Sequence, residues 1–380
     1  MAPHRPAARP ARRTLTLACY PLRVRVALAA ILCLACAPKA APPPPRAVKI
    51  DMHTHFGPRA VPNLLRLMDA YGIDQVVNLS GSFAGEGLEE QLAAAAATHG
   101  RIIVFANLDW DEARRGPGYG ARMAAGLRHA AELGARGLKI PKGLGLFYRD
   151  FRGRLIAVDD PELDPIFDAA GGLGFPVAIH VGDPVAFWRP PTPDNERYAE
   201  LLAHPGWSFS DKDVPSWEDL HAALERRVAR HPRTTFISVH FGNAAEYPDR
   251  VAALLDRYPN LYIDTAARIP EMGRYDAAKM HALFLRYQDR ILFGTDLALG
   301  QRPLDLMLGS SGDAPPTQAD VDRFFSATWR YFETRDRGFD HPTAIQGDWK
   351  IDGIGLPPEV LRKVYGDNAR RLLGATSSVR

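Results

Sequence analysis

From Val48 onward, short runs of β-branched and other apolar residues alternate with amphipathic stretches of 10 to 17 residues. A brief apolar run bounded by turn formers reads as a buried strand, and apolar positions recurring every three or four residues read as one face of a helix. Eight strands are predicted on that basis, at Val48–Phe56, Gln75–Ser80, Arg101–Asp109, Gly137–Lys142, Pro176–Val181, Thr234–Phe241, Leu261–Ala266 and Ile291–Leu297. Helices are predicted near 61–71, 88–99, 119–134, 161–173, 218–231, 247–258, 275–288 and 357–373. Gly72, Gly100 and Gly134 end or follow helical runs, where a left-handed cap is needed. Eight βα units in succession give an α/β chain whose expected architecture is a (β/α)8 TIM barrel.

Two connections break the short rhythm, from Gly182 to about Trp217 after strand five and from Ala298 to about Leu356 after strand eight. Both leave the C-terminal ends of strands, the catalytic face of such a barrel, so they are expected to form lids and substrate walls. Phe187-Trp188-Arg189 and Trp207-Ser208-Phe209 show their aromatic and basic character.

Composition changes the picture mainly at the N-terminus. The 380 residues carry 47 Lys or Arg against 44 Asp or Glu, but residues 1–47 hold eight of the basic groups and no acid. The remainder therefore has 39 basic groups against 44 acidic ones, a balance of −5. The positive excess belongs to the leader, so nucleic acid is not an expected partner. Residues 1–47 read as an arginine-rich region, an apolar stretch Val26 to Cys36, and a tether containing the run Pro42–Pro45. The uncharged stretch from Val26 to Pro38 is 13 residues, short of the ~20 a membrane-spanning helix needs, so no transmembrane helix is expected.

This leader predicts export to the cell envelope or periplasm. Leu34-Ala35-Cys36 resembles a bacterial lipobox, with Cys36 as the lipid-anchored residue, although Cys33 stands where such motifs favour Leu. Simple secretion and no processing remain open alternatives. The domain division expected is a leader and tether at 1–47 and one barrel domain at 48–380. All three cysteines (Cys19, Cys33, Cys36) fall in the leader, which excludes thiol and disulfide chemistry from the barrel.

The candidate chemistry sits at strand ends. Strand one reads Lys49-Ile-Asp51-Met-His53-Thr-His55, and residues two apart on a strand face the same side, so His53 and His55 are expected to enter the barrel mouth together. Asp51, one layer deeper, is assigned a structural hydrogen-bonding role. Strand five ends at His180 and Asp183, strand six at His240 and Asn243, and strand eight at Asp296. A lone histidine after a strand is usually structural; four histidines and an aspartate at four strand ends predict a metal site. His99, His129, His221, His231 and His281, on helical patterns or their ends, and His204 and His341, in loops, are read as solvated or capping residues.

With those residues placed, the chain resembles the amidohydrolase superfamily across residues 48–373. It is similar, more narrowly, to the amidohydrolase-related branch that includes aminocarboxymuconate-semialdehyde decarboxylase and its hydrolase and lactonase relatives. Asp160-Pro-Glu-Leu-Asp-Pro165, His240-Phe-Gly-Asn243 and Phe293-Gly-Thr-Asp296 carry that narrower likeness. The resemblance implies one divalent ion, Zn²⁺ being the expected metal, held by His53, His55, His180 and Asp296, with His240 beside it. Lys139 on strand four has three open readings: a carbamylated bridge between two metals, a cation for a substrate carboxylate or oxyanion, or an ion-pair partner. Arg149, Arg189, Arg197 and Arg268, after strands four, five and seven, are candidate contacts for an anionic substrate.

The expected chemistry is hydrolysis of a C–N or C–O acyl bond by metal-activated water, because a bound divalent ion lowers the pKa of water from about 15.7 toward ~7. Asp296 is the expected base and His240 the expected stabiliser of the developing oxyanion. The alternative is metal-dependent decarboxylation of an unsaturated or aromatic acid, and a third is a metal-binding envelope protein without catalysis. No P-loop or dinucleotide fingerprint is present, so no nucleotide cofactor is expected, only a small-molecule substrate.

Overall fold

The computed structural model describes residues 46–309 and 314–374. The leader, its cysteines and the polyproline run lie outside them. Eight parallel strands form the barrel: β1 (Ile50–Phe56), β2 (Gln75–Asn78), β3 (Ile102–Val104), β4 (Leu138–Ile140), β5 (Val177–Ile179), β6 (Phe236–Ser238), β7 (Leu261–Asp264) and β8 (Ile291–Leu292). The ladders run β1-β2-β3 and β4 through β8. The bridge Ala106↔Leu138 joins β3 to β4, and Met52 N donates to Phe293 O at 2.9 Å, closing β8 onto β1. The (β/α)8 expectation holds. Each strand is shorter than its predicted run.

Alternation along these strands builds two cores. Val76, Leu138, Ile140, Val177, Ile179, Leu261 and Ile263 pack toward the helices. Ile50, Met52, Val77, Phe105, Ala178, Ile237 and Leu292 form a plug inside the barrel. Above that plug, the next inward positions are polar: Lys139, His180 and Asp264. Strand one departs from simple alternation. Its register with β2 shifts between Asp51 and Thr54, so Met52 belongs to the interior plug and yet His53 joins the polar layer. A bulge of this kind re-aims a side chain at a barrel rim. Asp51 is thereby directed to the kink between β8 and the following strand, where it accepts hydrogen bonds from Thr295 N at 3.0 Å and Thr295 Oγ1 at 2.5 Å. Burial pushes its carboxyl up to about 7 against those bonds.

The connection after strand eight differs most from expectation. The predicted strand Ile291–Leu297 breaks at Phe293-Gly294, and β9 (Leu297–Leu299) resumes in parallel beside β1, followed by the antiparallel β10 (Leu306–Leu308). The stretch read as a lid then contains a 16-residue helix, Gln318–Glu333, opened by a capping box between Thr317 and Asp320. Its Val321, Phe324, Phe325, Thr328, Tyr331 and Phe332 are buried, a helical stripe that makes this segment part of the barrel's outer layer. The connection after strand five includes a short helix, Tyr198–Ala203. Among the described residues, no helix is long and apolar enough to cross a membrane.

Candidate metal centre and its pocket

His53, His240 and Asp296 bring potential ligand atoms within 4.8 Å of one another. His53 Nε2 is 3.2 Å and His55 Nε2 3.4 Å from the same oxygen, Asp296 Oδ1. The His180 ring packs edge-on against His240 with centroids 4.3 Å apart. All five strand-end residues thus converge. The grouping differs from the expected one: His240, anticipated beside the ligands, belongs to the tightest set, whereas His55 joins it through Asp296 and His180 through His240.

Local backbone conformation makes this convergence. His240 (φ 56°, ψ 49°) and Phe241 (φ 56°, ψ 50°) are left-handed, as are Gly242 and Asn243 after them. Gly and Asn adopt that region readily, but His and Phe do so at a cost of roughly 1–3 kcal/mol each, a strain characteristic of functional sites. Asn243 anchors the turn, its Nδ2 donating to Ser238 Oγ at 2.8 Å and its Oδ1 accepting from Val181 N at 3.2 Å. Asp296, in the kink between β8 and β9, is also left-handed (φ 63°). Gly294 gives the room: a Cβ there would lie 3.1 Å from that of His53.

The electrostatics favour neutral imidazoles beside a carboxylate. Burial, foremost among the causes, pushes His53, His180 and His240 well below their ordinary 6.5. Burial opposes ionisation of Asp296, but His53, His55 and His240 together outweigh it and hold the carboxyl well below its usual range. Lys139, 3% exposed, is pushed down to about 8 by burial against the attraction of Asp296 and Asp264.

Three buried polar atoms here have no hydrogen-bond partner: His53 Nε2, His180 Nε2 and Lys139 Nζ. An unpaired buried polar group costs about 1–3 kcal/mol. Neutral imidazole nitrogens facing a carboxylate are the donor chemistry of a divalent transition-metal site, so the residues fit the ion that the sequence implies.

A model of the Amidohydrolase family matches residues 50–375. The chain belongs to the amidohydrolase family. Among solved structures it is similar to a 2,6-dihydroxybenzoate decarboxylase complexed with 2,6-dihydroxybenzoate, at 18% identity over 87% of this chain and 100% of that one, with a TM-score of 0.50. It is similar also to an amidohydrolase II, at 17% identity over 86% of this chain and 100% of that one, again with a TM-score of 0.50. At such identities the likeness speaks to the shared barrel fold alone. No protein of curated function matches the chain.

Within this family member, a cavity of about 170 Å³ opens over the candidate metal centre, lined by His180, His240, Asp296, Phe187, Trp207, Arg268 and Met307 among others. A larger groove of about 620 Å³ also borders Met307 but includes none of the strand-end cluster, so the smaller cavity is the one that reaches the candidate chemistry.

The four candidate arginines separate. Arg268 is buried in the cavity wall; its guanidinium donates to Ala267 O at 2.9 Å and has no carboxylate partner among the described residues. Arg197 also borders the cavity but is locked between Glu200, at 2.8 Å, and Glu271, so its role there is to tie the strand-five connection to the segment after strand seven. Arg149 and Arg189 are not in the cavity lining: Arg149 donates to Gly153 O at 2.8 Å and Arg189 is exposed. Proximity in sequence to a strand end does not fix where a long loop carries its side chains.

Three histidines read as solvated or capping are instead buried. His221 lies against Trp217 with centroids 3.9 Å apart, His231 sits between Asp164 and Asp168, and His341 donates through Nε2 to Gly347 O. One site residue escaped the sequence reading altogether. Asp264, at the end of β7, lies 2.8 Å from His53 Nδ1. Its signal was available, since Tyr262-Ile263-Asp264 ends a strand in the same register as His180 on strand five.

Proposed function

We propose that this amidohydrolase-family protein hydrolyses a C–N or C–O acyl bond (amide, lactone or ester) in a small anionic substrate, with one divalent ion, zinc by its donor set, held by His53, His55, His180 and Asp296 and with His240 beside it. The observation that carries the reading is the Asp296 carboxyl oxygen, set 3.2 and 3.4 Å from two imidazole nitrogens under an open cavity. A divalent ion, when bound, supplies an activated water and polarises a carbonyl. Asp296 accepts the proton of the attacking water and returns it to the leaving group. His240, its Nδ1 donating to Ala266 O at 3.0 Å, leaves Nε2 to the site; taking a proton from solvent as the carbonyl oxygen gains charge, it would donate to the oxyanion and return that proton to solvent when the tetrahedral intermediate collapses. Arg268 receives the anionic end of the substrate, and Phe187, Trp207 and Met307 form its apolar wall. With the leader read as an export signal, the reaction belongs to the cell envelope.

Arg268 is also the observation that favours decarboxylation as a second reading, because an unpaired buried cation facing the site would suit a carboxylic acid as the reacting group. Turnover of ester, lactone, amide and carboxylic-acid panels in ¹⁸O-labelled water separates the two. One ¹⁸O in the acid product without CO₂ release is the expected result; CO₂ release with no ¹⁸O in the remaining product would replace the hydrolase with the lyase.

A further inference from the structure

The geometry points to Asp264 as a positioning residue that selects which nitrogen of His53 faces the metal centre and pins His240 in its left-handed turn. This rests on the reading of His53 as a metal ligand. Because Leu261 and Ile263 of β7 pack toward the helices, Asp264 is carried into the barrel, where it is 1% exposed. Its two oxygens serve different strands. Oδ2 lies 2.8 Å from His53 Nδ1 on β1, while Oδ1 accepts from His240 N at 2.7 Å and from Ala266 N at 3.2 Å.

The loop of contacts closes on itself. Ala266, held by Asp264, presents the carbonyl that His240 Nδ1 meets at 3.0 Å. A carbonyl oxygen only accepts, so His240 carries its proton on Nδ1 and leaves Nε2 bare. With the carboxylate already accepting two backbone N–H groups through Oδ1, its Oδ2 accepts the Nδ1–H of His53 in the same sense. His53 Nε2 then keeps its lone pair toward the centre, where it is buried with no hydrogen-bond partner. A ligating imidazole needs that tautomer, and a carboxylate on its far nitrogen supplies it. Had His53 carried its proton on Nε2, it would point a donor at Asp296 Oδ1 from 3.2 Å and present no lone pair to an ion.

A carboxylate serving only to satisfy buried backbone groups would be replaceable by an amide. Asp264→Asn makes that comparison, since its oxygen can still accept from His240 N and Ala266 N, while its NH₂ would donate to His53 Nδ1 and drive the proton to Nε2.

The test is ¹⁵N NMR of histidine-labelled, metal-free full-length protein, with His53→Gln to assign the signal, together with equilibrium zinc titration of the parent and Asp264→Asn. The expected results are an Nδ1–H tautomer at His53 in the parent, Nε2–H in Asp264→Asn, and zinc affinity lower by about 10–100-fold in a variant with unchanged far-UV circular dichroism. An Nε2–H tautomer in the parent, or unchanged affinity in Asp264→Asn, would overturn the inference. If the variant does not fold, the parent tautomer alone decides. A parent that takes up no zinc but shows the Nδ1–H tautomer would count against the metal-dependent reading and leave the tautomer assignment standing.

Discussion

Two groups among the described residues set buried histidine beside carboxylate, and they differ in what they leave unpaired. On the outer layer, His231 has Asp168 Oδ1 3.1 Å from Nδ1 and Asp164 Oδ1 3.3 Å from Nε2, and the buried Arg227 fills in around them. Arg227 donates to Val158 O, Asp160 O and Asp164, and its guanidinium lies over Phe167. Both ring nitrogens of His231 and all three guanidinium nitrogens of Arg227 have partners. At the strand ends, by contrast, His53 Nε2, His180 Nε2 and Lys139 Nζ have none. Both clusters meet the cost of burying polar atoms. Only the second retains lone pairs for something other than the protein, so burial of a histidine marks a site only when its far nitrogen is left free.

That contrast is broken most severely by variants that should affect one cluster and spare the other. Asp296→Asn is expected to lower turnover by on the order of 10²–10⁴-fold, the range of a general base, with the melting temperature essentially kept. Steady-state kinetics beside thermal unfolding checks both halves; retained turnover would remove Asp296 as the base. Arg227→Ala should do the reverse. It strands His231 and Asp164, and a loss of about 3 kcal/mol is expected in urea unfolding, at the lower end for a broken buried pair because Asp164 is 29% exposed. Metal content should be unchanged.

Arg268→Ala sharpens the comparison within the site. Loss of a charge-assisted contact to an anionic substrate should raise KM by roughly 10-fold or more with a smaller change in kcat. Equal loss for a neutral analogue would show that Arg268 supports the wall instead of reading charge. The smallest effect expected is a pH dependence of the outer cluster. Partial burial opposes ionisation of Asp164, but hydrogen bonds from Arg227 and Arg230 hold its carboxyl below the ordinary 3.8. A depressed carboxyl stabilises the fold above its unfolded value and loses that contribution as pH falls through the folded one. The unfolding free energy from urea titrations should therefore decrease as pH is lowered below about 4, by less than about 1 kcal/mol, and decrease less in Asp164→Asn.

The sequence made the barrel legible because strand and helix periods alternate regularly from Val48, and it made the strand-end histidines legible because each follows an apolar run. Asp264 was missed although it shares that register, since one aspartate at a strand end carries no chemistry until its partners are known. The helix Gln318–Glu333 was hidden by its setting in a long connection, even with Val321, Phe324, Phe325, Thr328 and Phe332 at helical spacing. The roles of Arg149, Arg189 and Arg197 were illegible for a different reason: their placement depends on loop paths and on distant partners such as Glu271. The motif Asp160–Pro165, which carries part of the family likeness, also seats Arg227, a packing role that becomes visible only in the fold.

The measurement that bears most directly on the central claim is metal stoichiometry by elemental analysis of the purified protein, beside a His53→Ala/His55→Ala variant prepared identically. About one equivalent of divalent ion in the parent, lost in the variant, is the predicted result. Two equivalents would make Lys139 a bridging ligand. No metal in the parent, even after reconstitution, would contradict the account, because the free imidazole nitrogens at the strand ends would then have no ion to hold.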